Sequence, residues 1–96
     1  MDWVVVVDDE VINLKMAGTI LSKNNMRVTA LKSGTELLEY VKMNRPDLIL
    51  LDIKMPGLNG LETLKELNAR MSASERIPVI FLTADESQDS EMQGLQ

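Results

Sequence analysis

The stretch DLILLDIKMPGLNG, residues 47–60, decides the fold of this chain. The apolar run from Leu48 to Leu51 predicts a fully buried strand, and Asp52 follows where that strand should end. The proline and glycines behind it predict a loop, and Asn59 with Glu62 predicts the capped start of a helix. An acid at the carboxyl end of a buried strand is a candidate site, because open α/β sheets bind ligands there.

The composition is that of one globular domain, expected to span residues 1–96, with 45% apolar and 26% charged residues. The net charge of −5 argues against binding to nucleic acid phosphates or to an anionic membrane surface. No apolar run approaches the roughly 20 residues that span a bilayer. The start of the chain lacks the basic region of a secretion signal, so we expect a cytoplasmic location.

The chain contains no Cys and no His. Disulfides, thiolate metal sites, histidine general bases and Ser-His-Asp catalysis are therefore excluded for it. The chemistry left to it uses carboxylates, hydroxyls, lysines, backbone groups or a bound hard metal ion.

Short β-branched or apolar runs alternate with segments of helical periodicity. Strands that alternate with helices imply an α/β fold, with a parallel sheet and helices on both of its faces. The expected strands are Trp3–Val7, Arg27–Leu31, Leu48–Leu51 and Pro78–Leu82, and the expected helices run from about Val11 to Lys23, from Ser33-Gly34 onward, after Asn59, and from Glu86 to Leu95 behind Asp85.

The apolar faces of the predicted helices are expected to cover the sheet. Ser33 and Glu36 form a capping-box pattern at the start of the second helix. The positions expected to be buried are Val11, Leu14, Ala17, Gly18 and Leu21 in the first helix, Leu37, Leu38, Tyr40 and Val41 in the second, and Leu61, Leu64, Leu67 and Met71 in the third.

Four oxygen-bearing side chains follow predicted strands. Asp8 and Asp9 follow the first strand, Asp52 the third and Thr83 the fourth, and parallel strands place their carboxyl ends along one edge. Carboxylates this close repel one another, and a divalent cation that prefers oxygen ligands removes the repulsion. Without His or Cys, Mg²⁺ is the expected metal, and Asp52 is placed to act as a nucleophile toward a phosphoryl group.

These motifs resemble the receiver domain of two-component response regulators. The Asp8-Asp9 pair, the segment from Leu50 to Gly60 around Asp52, and the segment Ile77–Ala84 occur in the order and spacing typical of that family. The resemblance implies a flavodoxin-like fold with strand order 2-1-3-4. It also implies a switch module that accepts phosphate, and not an enzyme that turns over a substrate.

The resemblance further implies roles for individual residues. Asp52 would accept phosphate from a sensor histidine kinase or a histidine phosphotransfer protein. Asp9 would bind Mg²⁺ directly, Asp8 through water, and Lys54 through its backbone carbonyl. Thr83 would move its hydroxyl to the phosphate and carry the switch. Nucleic acid binding and membrane attachment are not expected of this domain.

The chain departs from the family in one respect, because a fifth strand ending in Lys-Pro and a fifth helix are not found in it. We therefore expect a receiver that is truncated at its C-terminal end, with the fourth strand as an open edge that invites a dimer or a swapped partner. The missing lysine supports an alternative, a degenerate receiver that acts as a scaffold without phosphorylation. A second alternative, a haloacid-dehalogenase-like phosphatase, would have an aspartate where this chain has Lys54.

Two apolar residues of the first helix, Ile12 and Met16, lie off its predicted core-facing stripe. Scattered surface apolar residues are common and explain them adequately. A more specific hypothesis is that these two residues, with Pro56, form part of the face that docks the histidine-bearing helix of a partner.

Overall fold

The computed structural model describes residues 2–82, which form a parallel sheet of order β2-β1-β3-β4 with helices on both faces. Both the fold class and the strand order were predicted correctly. The predicted helix from Glu86 to Leu95 lies outside the described residues. The described elements are β1 (Trp3–Val7), α1 (Val11–Lys23), β2 (Arg27–Leu31), α2 (Gly34–Tyr40), β3 (Leu48–Asp52), α3 (Gly60–Arg70), a short 3₁₀ helix (Ala73–Glu75) and β4 (Val79–Leu82).

The two central strands carry the core, because their residues alternate between the two faces of the sheet. Val5 of β1 pairs with Ile49 of β3, and both are fully buried against α2 and α3. Val4 and Val6 point to the opposite face, where they pack with Leu14 of α1. Burying a side chain of this size contributes about 1.5–3 kcal/mol, so these strands fix the position of the residues that follow them.

The predicted face of α1 is correct at its centre and wrong at its start. Leu14 is buried, and Ala17 and Leu21 pack against the same core cluster. Val11 is 46% exposed, because it is the first residue of the helix and lies at the edge of the sheet, beyond the end of β1.

The predicted face of α3 is wrong at its start and correct further on, where Leu67 is buried and Met71 packs against the same core cluster. Gly60, Thr63 and Leu67 are its buried residues, whereas Leu61 is 56% exposed. The start of α3 lies directly against the end of β3, where the backbone N–H of Gly60 donates to the carbonyl of Ile53 at 2.9 Å. This contact points Gly60 at the sheet and turns Leu61, about 100° further round the helix, toward solvent.

Capping side chains fix the residues at which α2 and α3 begin. At α3 the predicted capping box is complete, since Asn59 Oδ1 accepts from the Glu62 N–H at 2.8 Å and Glu62 Oε1 accepts from the Asn59 N–H at 3.0 Å. At α2 only one of the two hydrogen bonds of the capping box forms. Ser33 Oγ accepts from the Glu36 N–H, but Glu36 Oε1 accepts from the N–H of Lys32 instead of Ser33.

The fourth strand begins one residue later than predicted, at Val79. Pro78 still accepts a hydrogen bond from the Ile49 N–H at 2.9 Å, but it has no N–H of its own to pair. β4 is the outermost strand on its side of the described sheet, and Ile80 is 53% exposed. Among residues 2–82, no helix has the length and apolar character needed to cross a membrane.

Candidate functional site

Three carboxylates lie together at the carboxyl ends of β1 and β3. Asp8 and Asp9 directly follow β1, and Asp52 is the last residue of the neighbouring β3. Each offers an oxygen atom within 4.8 Å of the other two. Asp8 and Asp52 are buried, at 4% and 6% exposed, whereas Asp9 is exposed to solvent. The structure thus brings together the three acids that the sequence predicted to be close, and we call them the acidic cluster.

Asp8 is held on both of its carboxylate oxygens. Its Oδ1 accepts from the backbone N–H of Glu10 at 2.9 Å, and its Oδ2 accepts from Asn13 Nδ2 at 3.1 Å. The sequence reasoning missed Asn13. Its position in the first turn of α1, close behind the Asp8-Asp9 pair, was the available signal.

Asp52 is held less tightly than Asp8 by the bonds that orient its carboxylate. Its Oδ1 accepts from the backbone N–H of Lys54 at a long 3.4 Å. Burial and the nearby charge of Asp8 raise the pKa of the Asp52 carboxyl above its ordinary value, although the backbone N–H groups of Lys54 and Ile53 oppose the rise. Burial and charge repulsion therefore disfavour the ionised form of Asp52 in the free protein.

Removing the charge of Asp52 is expected to stabilise the protein when no metal is present. Folding raises the pKa of the Asp52 carboxyl above its ordinary value of 3.8. The free energy of unfolding therefore falls as the pH rises from 3.8 through the raised pKa, and it stays lower at neutral pH. Asp52→Asn should therefore unfold at a higher urea concentration than wild type at pH 7 in a chelator.

The matched control for this substitution is Asp47→Asn at the other end of β3. Asp47 is exposed, and its Oδ2 accepts from the backbone N–H of Trp3 at 2.8 Å, so losing its charge should stabilise nothing. The gain in Asp52→Asn should vanish near pH 3, where the wild-type carboxyl is protonated in both states. Equal urea midpoints for Asp52→Asn and wild type at pH 7 would contradict the prediction.

The acidic cluster fits a hard divalent cation. All its ligand atoms are carboxylate oxygens, three such groups converge, and burial together with the charge of Asp8 raises the pKa of Asp52. Mg²⁺ prefers such a set and keeps part of its water shell. Lys54, predicted to add its backbone carbonyl, lies two residues after Asp52 with an exposed side chain.

Comparison with known proteins decides the family. The model of the response regulator receiver domain matches residues 4–96. The chain belongs to this family. Its fold, with strand order 2-1-3-4, agrees, and the family match argues against the phosphatase alternative.

The relatives of this receiver include bacterial regulators and kinases. The response regulator MprA of Mycobacterium sp. (strain KMS) is 35% identical over 92 residues, which cover 96% of this chain and 39% of MprA. The chain thus spans about two fifths of that curated relative. TrrA of Thermotoga maritima, solved in complex with Mg²⁺-BeF, is 28% identical with a TM-score of 0.81, covering 99% of this chain and 80% of TrrA.

A third relative is the receiver domain of the sensor histidine kinase PA1611 from Pseudomonas aeruginosa. It was solved with a magnesium ion coordinated in its active-site cleft. Its identity to this receiver is 30% and its TM-score 0.80, and the match covers 94% of this chain and 74% of that one.

The predicted docking residues of this receiver, Ile12, Met16 and Pro56, are not part of the acidic cluster. Ile12 and Met16 are 64% and 59% exposed on α1, and Ile20, which the sequence reasoning missed, extends them at 59%. We call these three residues the α1 stripe; with Lys15 and Thr19 they line one apolar surface. Pro56 is exposed but is not among the residues lining that surface. Thr83 lies outside the described residues, so its role stays a prediction.

Proposed function

We propose that Asp52 accepts a phosphoryl group from a phosphohistidine on a sensor histidine kinase or a histidine phosphotransfer protein. The observation that supports this most is the buried Asp52 carboxylate, with oxygens of Asp8 and Asp9 within 4.8 Å. A carboxylate oxygen of Asp52 would attack the phosphorus, the P–N bond would break, and the imidazole would leave with the electron pair and take up a proton. The product is an acyl phosphate.

The residues that would hold Mg²⁺ are those of the acidic cluster and its loop. Asp9, which is exposed, would bind the ion directly, and buried Asp8 would bind it through water. Asp52 and the backbone carbonyl of Lys54 would complete the protein ligands. When bound, the ion offsets the charge shared by the carboxylates and the phosphoryl oxygens. The magnesium in two solved relatives supports this assignment.

The domain would act as a switch and not as a turnover enzyme. An acyl phosphate adds charge at the acidic cluster, and this shifts the balance between two conformations of the surrounding surface. Because histidine kinases draw phosphate from ATP, we place the exchange in the cytoplasm. The net charge of −5 argues against direct nucleic acid binding by this domain.

The α1 stripe is our proposed docking surface for the phosphohistidine-bearing helix of the partner. It begins at Ile12, in the same first turn of α1 as Asn13, whose side chain contacts Asp8. The apolar face of a partner helix can bind this surface, because its anchoring side chains recur about once per helical turn. A partner docked there would bring its histidine to the edge of the sheet that carries Asp52.

Alanine at Ile12 and Met16 together is expected to slow phosphotransfer from a histidine phosphotransfer protein by about tenfold or more, the size of one lost anchor. Uptake from acetyl phosphate should be unchanged, because a small donor needs no docking surface. The measurement is the rate of transfer of labelled phosphate from each donor.

The matched control is Leu61→Ala with Met43→Ala, since both residues are apolar and exposed, at 56% and 88%, and neither is on α1. Equal slowing with both donors, or slowing by the control pair, would show that the α1 stripe is not the docking surface.

We also propose that the outer edge of β4 pairs with a second copy of the chain. Within residues 2–82 no strand occupies that edge, and an unpaired edge is a template for another strand. Light scattering should show a fraction of dimer that increases with protein concentration. Ile80→Lys should abolish the dimer, because lysine on an edge strand opposes pairing. A monomer at every concentration would reject it.

The experiment that tests the proposed function is the intact mass of the chain after incubation with acetyl phosphate. One added phosphoryl group in Mg²⁺, and none in a chelator, is the expected result. A folded chain, by circular dichroism, that gains no mass in Mg²⁺ would reject phosphoacceptance and favour the scaffold alternative.

A further inference from the structure

Asn13 bonds to two carboxylates near the proposed phosphorylation site. Its Nδ2 donates to Asp8 Oδ2 at 3.1 Å and to Glu10 Oε1 at 3.4 Å. Ionised carboxylates only accept hydrogen bonds, so the nitrogen, and not the oxygen, of the Asn13 amide must face them. The two N–H groups of this one amide thus serve two different acids.

The bond to Asp8 completes the restraint of that carboxylate. The Glu10 N–H already holds Oδ1 at 2.9 Å, and Asn13 holds Oδ2. With one donor on each oxygen, the buried carboxylate of Asp8 cannot rotate without losing a hydrogen bond. The oxygen positions that Asp8 presents to Asp9 and Asp52 are therefore set in part by Asn13.

The chemistry of this position calls for a neutral donor. The acidic cluster already brings three negative charges together, and Glu10 adds a fourth close by. Aspartate at position 13 would add a further acceptor and a further charge, and alanine would leave Asp8 Oδ2 without this partner. An amide supplies the bond and adds no charge.

We propose that Asn13 is a positioning residue that sets the Mg²⁺ affinity of the acidic cluster by fixing the carboxylate of Asp8. This inference rests on the proposed function, because it takes the cluster to be the metal site of a phosphoacceptor. Groups that orient the direct ligands of a metal typically change metal affinity by about 10–100-fold when they are removed, and we expect the low end of this range here because Asp8 would bind Mg²⁺ through water. Asn13 is not one of the residues that line the docking surface, and the hydrogen bonds of its side chain go to Asp8 and Glu10.

The test is calorimetric titration of the 96-residue chain with Mg²⁺ alone. Asn13→Ala should raise the Kd for Mg²⁺ by about tenfold. The matched control is Asn44→Ala, because Asn44 is also half-buried and its Nδ2 donates one bond, to the Tyr40 carbonyl at 2.9 Å, away from the cluster. Asn44→Ala should bind Mg²⁺ as wild type does, even if it unfolds at lower urea.

A second variant, Asn13→Asp, keeps the size of the side chain and replaces the donor by a charged acceptor. In a chelator its urea midpoint should lie below those of wild type and Asn13→Ala, because it adds repulsion to Asp8 and Glu10. If the urea midpoint of Asn13→Asp equals that of wild type, the side chain at position 13 faces solvent and does not contact Asp8 and Glu10.

The outcomes separate the inference from the proposed function. If wild type binds Mg²⁺ and takes up phosphate, but Asn13→Ala binds Mg²⁺ within about twofold of wild type, Asn13 is structural only and the inference is overturned. If wild type binds no Mg²⁺ and gains no phosphoryl group, the proposed function fails and the inference fails with it.

Discussion

Asp52→Asn is expected to abolish phosphoryl uptake completely, since the amide that replaces the carboxylate has no nucleophilic oxygen anion. Intact mass after incubation with acetyl phosphate and Mg²⁺ should show one added phosphoryl group on the wild-type chain and none on the variant. The loss comes from chemistry and not from misfolding, because removing a buried charge from the acidic cluster is expected to stabilise the fold.

Two further variants show whether the loss is specific to Asp52. Asp47→Asn changes an exposed aspartate at the other end of β3 and should take up phosphate as wild type does. Asp9→Asn removes a charge of the same cluster but keeps the nucleophile, so uptake should slow and require a higher Mg²⁺ concentration without reaching zero. A phosphoryl group on Asp52→Asn would mean that another residue is the acceptor.

The sequence predicted the strands well because their signal is local. The valine run of β1 and the leucine-isoleucine run of β3 are too apolar to lie anywhere but in the middle of a sheet covered on both faces. The position of Asp52 follows from the same signal, since a carboxylate ends the apolar run. The proximity of Asp8, Asp9 and Asp52 then required only parallel strands with neighbouring carboxyl ends.

The features that the sequence did not predict depend on contacts between elements. Leu61 fits the helical spacing of α3 but lies in solvent, because the approach of Gly60 to β3 sets the rotation of the helix. Asn13 contacts the site through a hydrogen bond to Asp8, and the periodicity of apolar residues does not predict such a bond. Ile20 is an exception, because it lies one helical turn after Met16 and its exposure could have been predicted from the spacing alone.

Gly60→Ala is expected to destabilise the protein by about 3 kcal/mol or more, a large part of the 5–15 kcal/mol that holds a typical domain folded. A Cβ at this position would meet the carbonyl oxygen of Asp52, and it would lie 2.8 Å from the Cα of Ile53. Both are backbone atoms of the segment that carries the proposed acceptor. They cannot yield by a change of rotamer, so α3 must move away from the end of β3.

That movement should also reach the site. The Gly60 N–H would lose its 2.9 Å bond to the Ile53 carbonyl, and the backbone around Asp52 would shift with it. We therefore expect phosphate uptake from acetyl phosphate to fall even at temperatures where circular dichroism shows the variant folded. Urea unfolding and intact mass, measured on the same samples, separate the two effects.

Gly18→Ala is the matched control, because it makes the same change in the middle of a helix where a Cβ meets no atom within 4 Å. There alanine should stabilise the chain by roughly 0.5–1 kcal/mol through its better helix propensity, and phosphate uptake should not change. The opposite signs of the two substitutions follow from one distinction. Gly18 has room for a side chain, whereas Gly60 is the point at which α3 touches the backbone that presents Asp52. If Gly60→Ala were as stable as wild type, α3 would not be fixed at that contact, and the position of the Asp52 loop would need another cause.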